Sequence, residues 1–505
     1  MLSACACAAL LDWIQVPFLD AADRHIQDAR LRATPEAFDK RVVIVDIDEA
    51  SLAAQGRWPW PRETMAALAT RLTDDGHAAV VGFDMVMAEP DRDPAQDQAL
   101  ASALRGRPVV LGYYFTSDRG ATVSGALPAP VMQTSSLTGM SLDVTSWTGY
   151  GANIVPLQGV AAGFFNPILD PDGKVRALPL MADYGGELYE SFAVAVLRRY
   201  LGNASLRLSG ETLSLEGARA TVNIPVSRGL SALVPFAGGR LQSPSPTPSQ
   251  SPSPTPTQSM SMSQSQSQSQ SHSAAPSRFL YLSATDVLAG HWDASTLRDR
   301  IVLVGTTAPG LTDLRATPLR ATFPGVEIHA TLIAGALDPA PYAIKQHSGA
   351  SEAFAVMGTA LCGILLAFGL PVMGALGVAV VSVLAGVGMW LGGALAWSNF
   401  GLFVPVATGM ALVAGLALIN LVAGYFIEGR ARRAVAGLFG EYVSPLLVER
   451  MMRDPARYGR TGSENRELTV LFVDIRGFTR IAETMQPEQL REYINAFLSA
   501  TLAEV

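Results

Sequence analysis

Short runs of apolar residues alternate with amphipathic segments over the first two thirds of the chain. Three continuous apolar runs lie at residues 41–46, 78–84 and 300–305. Such runs are typical of strands that are buried on both faces of a sheet. Helical patterns follow Pro61 and lie around residues 93–105, 188–201 and 327–337. Strands that alternate with helices predict an α/β domain with a largely parallel sheet, which we place at residues 20–352.

One segment inside this predicted domain has no apolar pattern. Residues 242–277 consist almost wholly of Ser, Pro, Thr and Gln. Such a composition cannot bury enough apolar surface to form a core, so a disordered loop is predicted. Because each doubling of a loop's length costs only about 0.6 kcal/mol, the loop interrupts the domain without dividing it.

The pattern changes completely at residues 353–427, which contain no charged residue. One transmembrane helix needs about 20 apolar residues, so the segment is long enough for three. Glycine- and proline-containing breaks separate the predicted spans. We place these spans at residues 353–369, 374–396 and 403–427.

Flanking charges predict how these spans are oriented. Arg430, Arg432 and Arg433 follow the last span, whereas Lys345 is the only basic residue close before the first. The positive-inside rule therefore places the C-terminal side in the cytoplasm and residues 20–352 outside it. Residues 1–19 are apolar but short. We interpret them as the end of a transmembrane helix, and the alternative is a segment packed on the outer domain.

Composition narrows the classes of partner and chemistry. The formal net charge of -7 argues against nucleic acid as the main partner. The three cysteines leave residues 8–361 without a possible internal disulfide, and the six histidines show no metal-ligand spacing. We therefore predict no disulfide or histidine metal site in the outer domain.

A candidate ligand site lies at the end of the first apolar run. Asp46 and Asp48 fall at the carboxyl end of the predicted strand, where open α/β sheets usually bind ligands. A stiff loop with Arg57, Trp58 and Arg62 follows. The competing interpretation, which we favour, is structural: the tryptophans pack under the loop and the arginines pair with these acids.

The outer region resembles a known module. Five motifs in order are similar to those of the second type of CHASE domain: VDIDEAS, GRWPWPR, DPDGKVR, VGTTAPGLTD and PGVEIH. That resemblance covers residues 38–350 and the apolar segment after them. It implies an extracytoplasmic sensor domain of a bacterial inner membrane protein, followed by three transmembrane helices. The resemblance names no ligand.

Residues 428–466 connect the membrane segment to the C-terminal part. Glu428 to Gly440 continues the last span as a charged helix with an apolar stripe, and Ser444 and Pro445 restart a helix. One interpretation is a spacer. The other is a dimeric transducer, which we favour because residues 439–445 are similar to the segment before many membrane cyclase domains.

The C-terminal part, residues 467–505, begins with a second candidate site. The predicted strand 468–473 runs into Asp474, and a glycine turn with Gly477 and the hydroxyl of Thr479 follows. A carboxylate at a strand end can hold a divalent metal, and the N–H groups of a turn can hold phosphates. The pattern therefore suggests a metal-dependent nucleotide site.

The segment from Glu467 to Glu483 resembles the opening of class III nucleotide cyclases, an α+β domain with a ferredoxin-like fold. The resemblance implies that Asp474 and the carbonyl of Ile475 bind two Mg²⁺ or Mn²⁺ ions. It also implies that Gly477, Phe478 and Thr479 lie against the triphosphate and that the protein is a homodimer. The implied activity is conversion of ATP to cyclic AMP and pyrophosphate.

Several alternatives stay open for the C-terminal part. The family's second metal aspartate and its base-selecting residues lie further downstream than Val505, so we expect residues 1–505 to be inactive alone. ATP is preferred to GTP only because members with this domain order are mostly adenylate cyclases. A non-catalytic, dimerising membrane receptor is the main alternative function, and a diguanylate cyclase ranks below it.

Overall fold

The computed structural model of the chain describes residues 17–117, 122–137, 142–238, 277–308, 314–338, 343–345, 349–369, 372–440, 467, 469–470 and 472–503. Two units can be distinguished, Met1–Tyr425 and Phe426–Val505, and each is described by itself. Residues 1–16 of the segment predicted to be the end of a transmembrane helix lie outside the described residues, and residues 17–19 belong to a described helix. The predicted disordered loop, apart from Ser277, also lies outside the described residues.

Eighteen strands occur in the described residues. In chain order they are β1 Asp39–Ile47, β2 Val80–Phe83, β3 Val109–Thr116, β4 Val123–Ser124, β5 Met132–Gln133, β6 Gly149–Gly151, β7 Ala161–Phe164, β8 Ala177–Pro179, β9 Met181–Tyr184, β10 Glu187–Glu190, β11 Ser205–Ser209, β12 Thr212–Glu216, β13 Thr221–Pro225, β14 Ser231–Leu233, β15 Phe279–Ser283, β16 Ile301–Thr306, β17 Leu314–Arg315 and β18 Phe323–Pro324.

The described α-helices number twelve. They are α1 Pro17–Ala33, α2 Glu49–Gln55, α3 Arg62–Thr70, α4 Pro94–Leu104, α5 Phe192–Tyr200, α6 Ala284–Ala289, α7 Gly325–Leu337, α8 Gly349–Gly369, α9 Ala375–Leu395, α10 Ala407–Gly440, α11 Phe478–Ala482 and α12 Pro487–Ala503. A π-helical turn extends α3 to Asp75, and another extends α9 to Phe400.

The central sheet has the strand order β15-β1-β16-β2-β3, and all of these neighbours are parallel. Strand β7 continues the parallel pairing along β3, while β6 pairs with the far end of β3 in the antiparallel direction. In the register of β1, Asp46 lies opposite Ser283 on one side and Gly305 on the other. The predicted α/β domain with a largely parallel sheet is confirmed.

Residues of β1 explain why the strand is apolar throughout. Val42 and Ile44 belong to one buried cluster, together with residues of α5 and α7. Val43, Val45 and Ile47 point to the opposite face, into a cluster with residues of α3, α4 and α6. Successive side chains of a strand alternate between faces, so a sheet covered by helices on both faces needs apolar residues at every position.

Smaller antiparallel sheets lie beside this three-layer core. One joins β5, β10 and β9, a second joins β11, β12 and β13, and a third pairs β8 with β14. The sequence patterns did not predict these additions. Strand β10 leads directly into α5, so it connects one of the small sheets to the core.

Two helices in the described part of the chain are long and apolar enough to cross a membrane, Ser351–Gly369 and Ala375–Phe400. The third predicted span coincides with α10, whose apolar part, Ala407–Ala423, is shorter. Leu366, Val378 and Val413 form a common apolar cluster, so the three helices pack against one another. Three membrane crossings remain a prediction.

The C-terminal unit contains the end of α10 and the helices α11 and α12. Helix α12 begins at Pro487, as predicted. The strand predicted at 468–473 is not formed by its described residues, and Phe472 is 91% exposed. A strand is not stable without a pairing partner, and none of the described strands pairs with this segment. The helix predicted to restart at Ser444 lies outside the described residues.

Candidate functional site

The carboxylate of Asp46 is engaged by the protein itself. One of its oxygens accepts a hydrogen bond from the Thr307 backbone N–H at 2.9 Å, and the other accepts one from the Thr307 hydroxyl. Burial raises the pKa of Asp46 to about 6; the nearby charge of Asp48 adds to the rise, and the Thr307 hydrogen bonds oppose it. The side chain therefore joins β1 to the loop after β16.

Asp48 has a structural role at the start of α2. Its carboxylate accepts from the Ser51 backbone N–H at 2.8 Å, which caps the helix, and from the Ser283 hydroxyl at 2.9 Å. The Ser51 hydroxyl in turn accepts from the backbone N–H of Thr285 at 3.1 Å. These bonds tie α2 and α6 to the ends of β1 and β15.

The loop after α2 packs as the structural interpretation predicted for its tryptophans. Trp60 is buried and donates its indole N–H to the carbonyl of Gly56 at 3.2 Å. The ring of Trp58 meets it edge-on, with the centroids 5.8 Å apart. These rings close one end of the apolar cluster between the sheet and α3.

The basic residues of this loop do not pair with Asp46 or Asp48. Arg62 forms an ion pair with Asp97 at 2.8 Å, because α3 and α4 lie side by side. Arg57 is exposed. The predicted pairing of these arginines with the acids of β1 is therefore wrong for Arg62, whose buried partner lies 35 residues further along the chain.

A cluster of charges fixes α1 to the α/β core. Arg176 is 3% exposed and donates to Asp28 at 2.8 Å, to Asp170 at 2.6 Å and to Asp172 at 2.7 Å. Lys174 pairs with Asp28 at 2.9 Å. The side-chain hydrogen bonds of Arg176 hold the pKa of Asp172 well below its usual range. The predicted motif DPDGKVR thus forms a structural ion-pair network.

The C-terminal motif is accessible. Asp474 and Thr479 are exposed, and Phe478 is half-buried. Gly477 has φ +78°, a left-handed conformation that favours glycine, and it directly precedes α11. The backbone N–H of Phe478 donates to the carbonyl of Ile475 at 3.1 Å, which closes the turn.

The C-terminal motif offers one carboxylate, that of Asp474, to a metal ion. Among the residues that the structure describes, no three His, Cys, Asp or Glu side chains are grouped as a metal would require. Asp474 therefore provides one exposed ligand, and the described residues alone do not complete a two-ion site.

A cleft lies at the opposite end of the central sheet from Asp46. It has a volume of about 830 Å³ and reaches the first residues of β3 and β7, Val109 and Ala161. Glu190, at the end of β10, lines the cleft and pairs with Arg198 of α5 at 2.6 Å. Neither residue was predicted as a site residue. Only the tertiary arrangement of β10, α5 and the 127–131 loop creates this cleft, so no motif could have indicated it.

Comparison with protein families decides what this fold is. The model of the CHASE2 domain matches residues 4–365, well over half of the chain. The chain belongs to the CHASE2 domain family. Searches of curated proteins and of solved structures found no match. CHASE2 is an extracellular-type sensor domain, so the predicted sensor identity is confirmed.

The CHASE2 domain touches its apolar helices through α1. Asp23 is buried and accepts hydrogen bonds from the backbone N–H groups of Val406 at 2.8 Å and Ala407 at 3.0 Å, where α10 begins. Burial raises the pKa of Asp23, and these two hydrogen bonds oppose that rise. Helix α1 therefore contacts the sensor core through Asp28 and the third apolar helix through Asp23.

Proposed function

We propose that this chain is the sensing and membrane part of a signalling protein whose CHASE2 domain regulates a class III nucleotide cyclase. The activity would be conversion of ATP to cyclic AMP and pyrophosphate in a homodimer at the bacterial inner membrane. The observation that carries the cyclase assignment is the Asp474–Thr479 turn. Its glycine adopts a left-handed conformation and leaves Asp474 exposed next to a helix start.

The proposed topology has the CHASE2 domain outside the cytoplasm and the C-terminal unit inside. Two apolar helices satisfy the length for a span, and α10 would supply the third. Arg430, Arg432 and Arg433 follow the apolar part of α10, as expected at a cytoplasmic boundary. The chain has to cross the membrane an odd number of times between the CHASE2 domain and the C-terminal unit, because the two are proposed to act on opposite sides of the membrane.

In the proposed active site, Asp474 and the carbonyl of Ile475 would hold the divalent ions, Mg²⁺ or Mn²⁺. Gly477, Phe478 and Thr479 would then border the triphosphate; because the N–H of Phe478 already closes the turn, the phosphates would accept from the N–H groups of Gly477 and Thr479. Bound ions would stabilise the charge on the attacking ribose oxygen and the leaving pyrophosphate. A second carboxylate has to come from outside the described residues.

One other function competes with this proposal. The described residues offer only one metal carboxylate, which also suits a receptor whose C-terminal segment dimerises or docks without catalysis. A diguanylate cyclase also begins with a strand that leads into Asp-Ile, but the Gly-Phe-Thr turn does not favour that enzyme.

The test is cyclic nucleotide synthesis by the full-length gene product in membranes, with Mg²⁺ and either ATP or GTP. We expect cyclic AMP from ATP, and we expect Asp474→Ala to lower the rate at least 100-fold, since metal binding supplies several kcal/mol of transition-state stabilisation. Glu488→Ala, an exposed acid on α12, is the matched control and should keep full activity. No synthesis at all would favour the receptor, whereas synthesis that survives Asp474→Ala would show that Asp474 does not hold the catalytic metal.

A further inference from the structure

The 830 Å³ cleft has the size of a small-molecule site, since such pockets usually enclose about 300–1,000 Å³. Its floor is rigid, because Leu104 and Val109 belong to the buried core between the sheet and its helices. Its rim is formed by the proline-containing loop at Pro128 and Pro130 and by Leu206 of β11. A preformed, partly apolar wall of this kind suits a ligand with an apolar body.

Glu190 leaves part of its hydrogen-bonding capacity unused. Its side chain is only 12% exposed, and one carboxylate oxygen accepts from Arg198. The other oxygen is buried and has no hydrogen-bond partner within the described part of the chain. A buried acceptor without a donor costs about 1–3 kcal/mol, so a ligand that donates to it would recover that free energy. Burial also raises the pKa of Glu190.

Arg198 offers the complementary group beside it. Its Nε donates to the carbonyl of Ala204 at 2.9 Å and one terminal nitrogen donates to Glu190, which leaves its second terminal nitrogen without a partner in the residues described. The positive charge of Arg107 is offset by Asp74 at 2.6 Å. Arg199 adds a further positive charge to the same wall. The wall therefore carries more positive than negative charge, and a guanidinium pairs well with a carboxylate.

From this arrangement we infer that the cleft binds a small carboxylic acid that also carries an amino or hydroxyl group and an apolar side chain. The ligand's carboxylate pairs with Arg198, its N–H or O–H donates to the free oxygen of Glu190, and its apolar part packs on Pro128 and Pro130. This inference rests on the proposed sensing role. Binding is measured without cyclase activity, so the two proposals can fail separately.

Ligand binding to the full chain in lipid nanodiscs provides the test. The probes are L-leucine and L-phenylalanine, the matching 2-hydroxy acids and the matching amines without a carboxylate. Thermal shift and isothermal titration calorimetry report binding. At least one of the acids should bind, and the amines should not. Preference between amino and hydroxy acids then identifies the donor that Glu190 accepts.

Three variants locate the site. Glu190→Gln keeps an acceptor for Arg198 but places an amide N–H₂ where the ligand must donate, so affinity should fall at least tenfold. Ala129→Trp changes an exposed residue of the rim and should block the cleft without disturbing the core. Arg207→Gln removes an exposed positive charge next to Leu206 that does not line the cleft, and it should bind as the wild type does.

Some outcomes would overturn this inference. If none of the acids binds, the cleft is not a site for this class of ligand. If an acid binds equally well to Glu190→Gln and Ala129→Trp, its site lies elsewhere. If the amines bind as tightly as the acids, Arg198 does not recognise a carboxylate there.

Discussion

The two ends of the central sheet use acidic side chains in opposite ways. At the carboxyl end, Asp46 and Asp48 each accept two hydrogen bonds from neighbouring loops and helices. At the amino end, one oxygen of Glu190 accepts none from the described residues. The usual position of ligands in open α/β sheets favours the first end. Unused hydrogen-bonding capacity favours the second, and we give it more weight because a carboxylate already satisfied by its own fold has little to gain from a ligand.

The largest expected effect concerns Asp46 and pH. Its pKa in the folded state, about 6, lies above the unfolded value of 3.8. The folded state therefore binds more protons between these values, so this group makes the protein less stable as pH rises from about 4 to 6. A shift of about two pH units corresponds to about 3 kcal/mol. Denaturant unfolding of the chain in nanodiscs at pH 4 to 8 measures this loss.

Asp46→Asn isolates this contribution from that of other acids. The amide oxygen can still accept from the Thr307 N–H but has no charge to desolvate. We expect the difference in unfolding free energy between variant and wild type to grow in favour of the variant from pH 4 to pH 7. A constant difference over that range would show that the Asp46 carboxylate is not buried as described.

A smaller effect is expected for Asp48→Ala. Loss of the helix cap removes the acceptor for the Ser51 N–H and should cost about 1 kcal/mol of unfolding free energy. The neighbouring Glu49→Ala is the control, since Glu49 is exposed and should change stability by less than about 0.5 kcal/mol. Equal effects of the two substitutions would contradict the capping role.

The smallest effect on stability is expected at the other end of the sheet. Glu190→Gln should change the unfolding free energy by less than about 0.5 kcal/mol, because the ion pair it loses is offset by removal of a buried, partly unsatisfied carboxylate. The same denaturant unfolding measures it. A loss as large as that expected from Asp48→Ala would make Glu190 a structural residue and would remove the contrast between the two ends.

Sequence patterns predicted the core well because buried positions carry apolar residues, and these form recognisable runs in the sequence. The run at 41–46 became β1, the runs near 78–84 and 300–305 became β2 and β16, and helical periodicity located α4, α5 and α7. The strands lie between two apolar layers and the helices pack an apolar face on the sheet, so the residues of each element carry its own pattern. The prediction of a strand at 468–473 failed for the opposite reason. The stability of a strand depends on a pairing partner, and an apolar run does not show whether a partner is present.

The contacts of the candidate sites were predicted less completely than the elements of the core. The sequence pattern placed Asp46 and Asp48 at the carboxyl edge of the sheet, where the structure has them. It could not show that Thr307 and Ser283, more than 230 residues away in sequence, satisfy their carboxylates. The partner of Arg62 was missed for the same reason. Glu190 and Arg198 are only eight residues apart, yet their meeting depends on a sharp passage from β10 into α5. Such contacts arise from topology rather than from local sequence.

The bond between Asp23 and Val406 also fixes an order of events during synthesis. Its partners are 383 residues apart, so at roughly 5–20 residues per second the acceptor on α1 waits roughly 20–80 s for its donors. Over that interval the parallel sheet and the first two apolar helices can already form, while Asp23 has no N–H group to accept from at the start of α10. Docking of α1 on α10 therefore cannot precede synthesis of residues 406–407, whereas the pairing of Asp28 with Arg176 can form earlier.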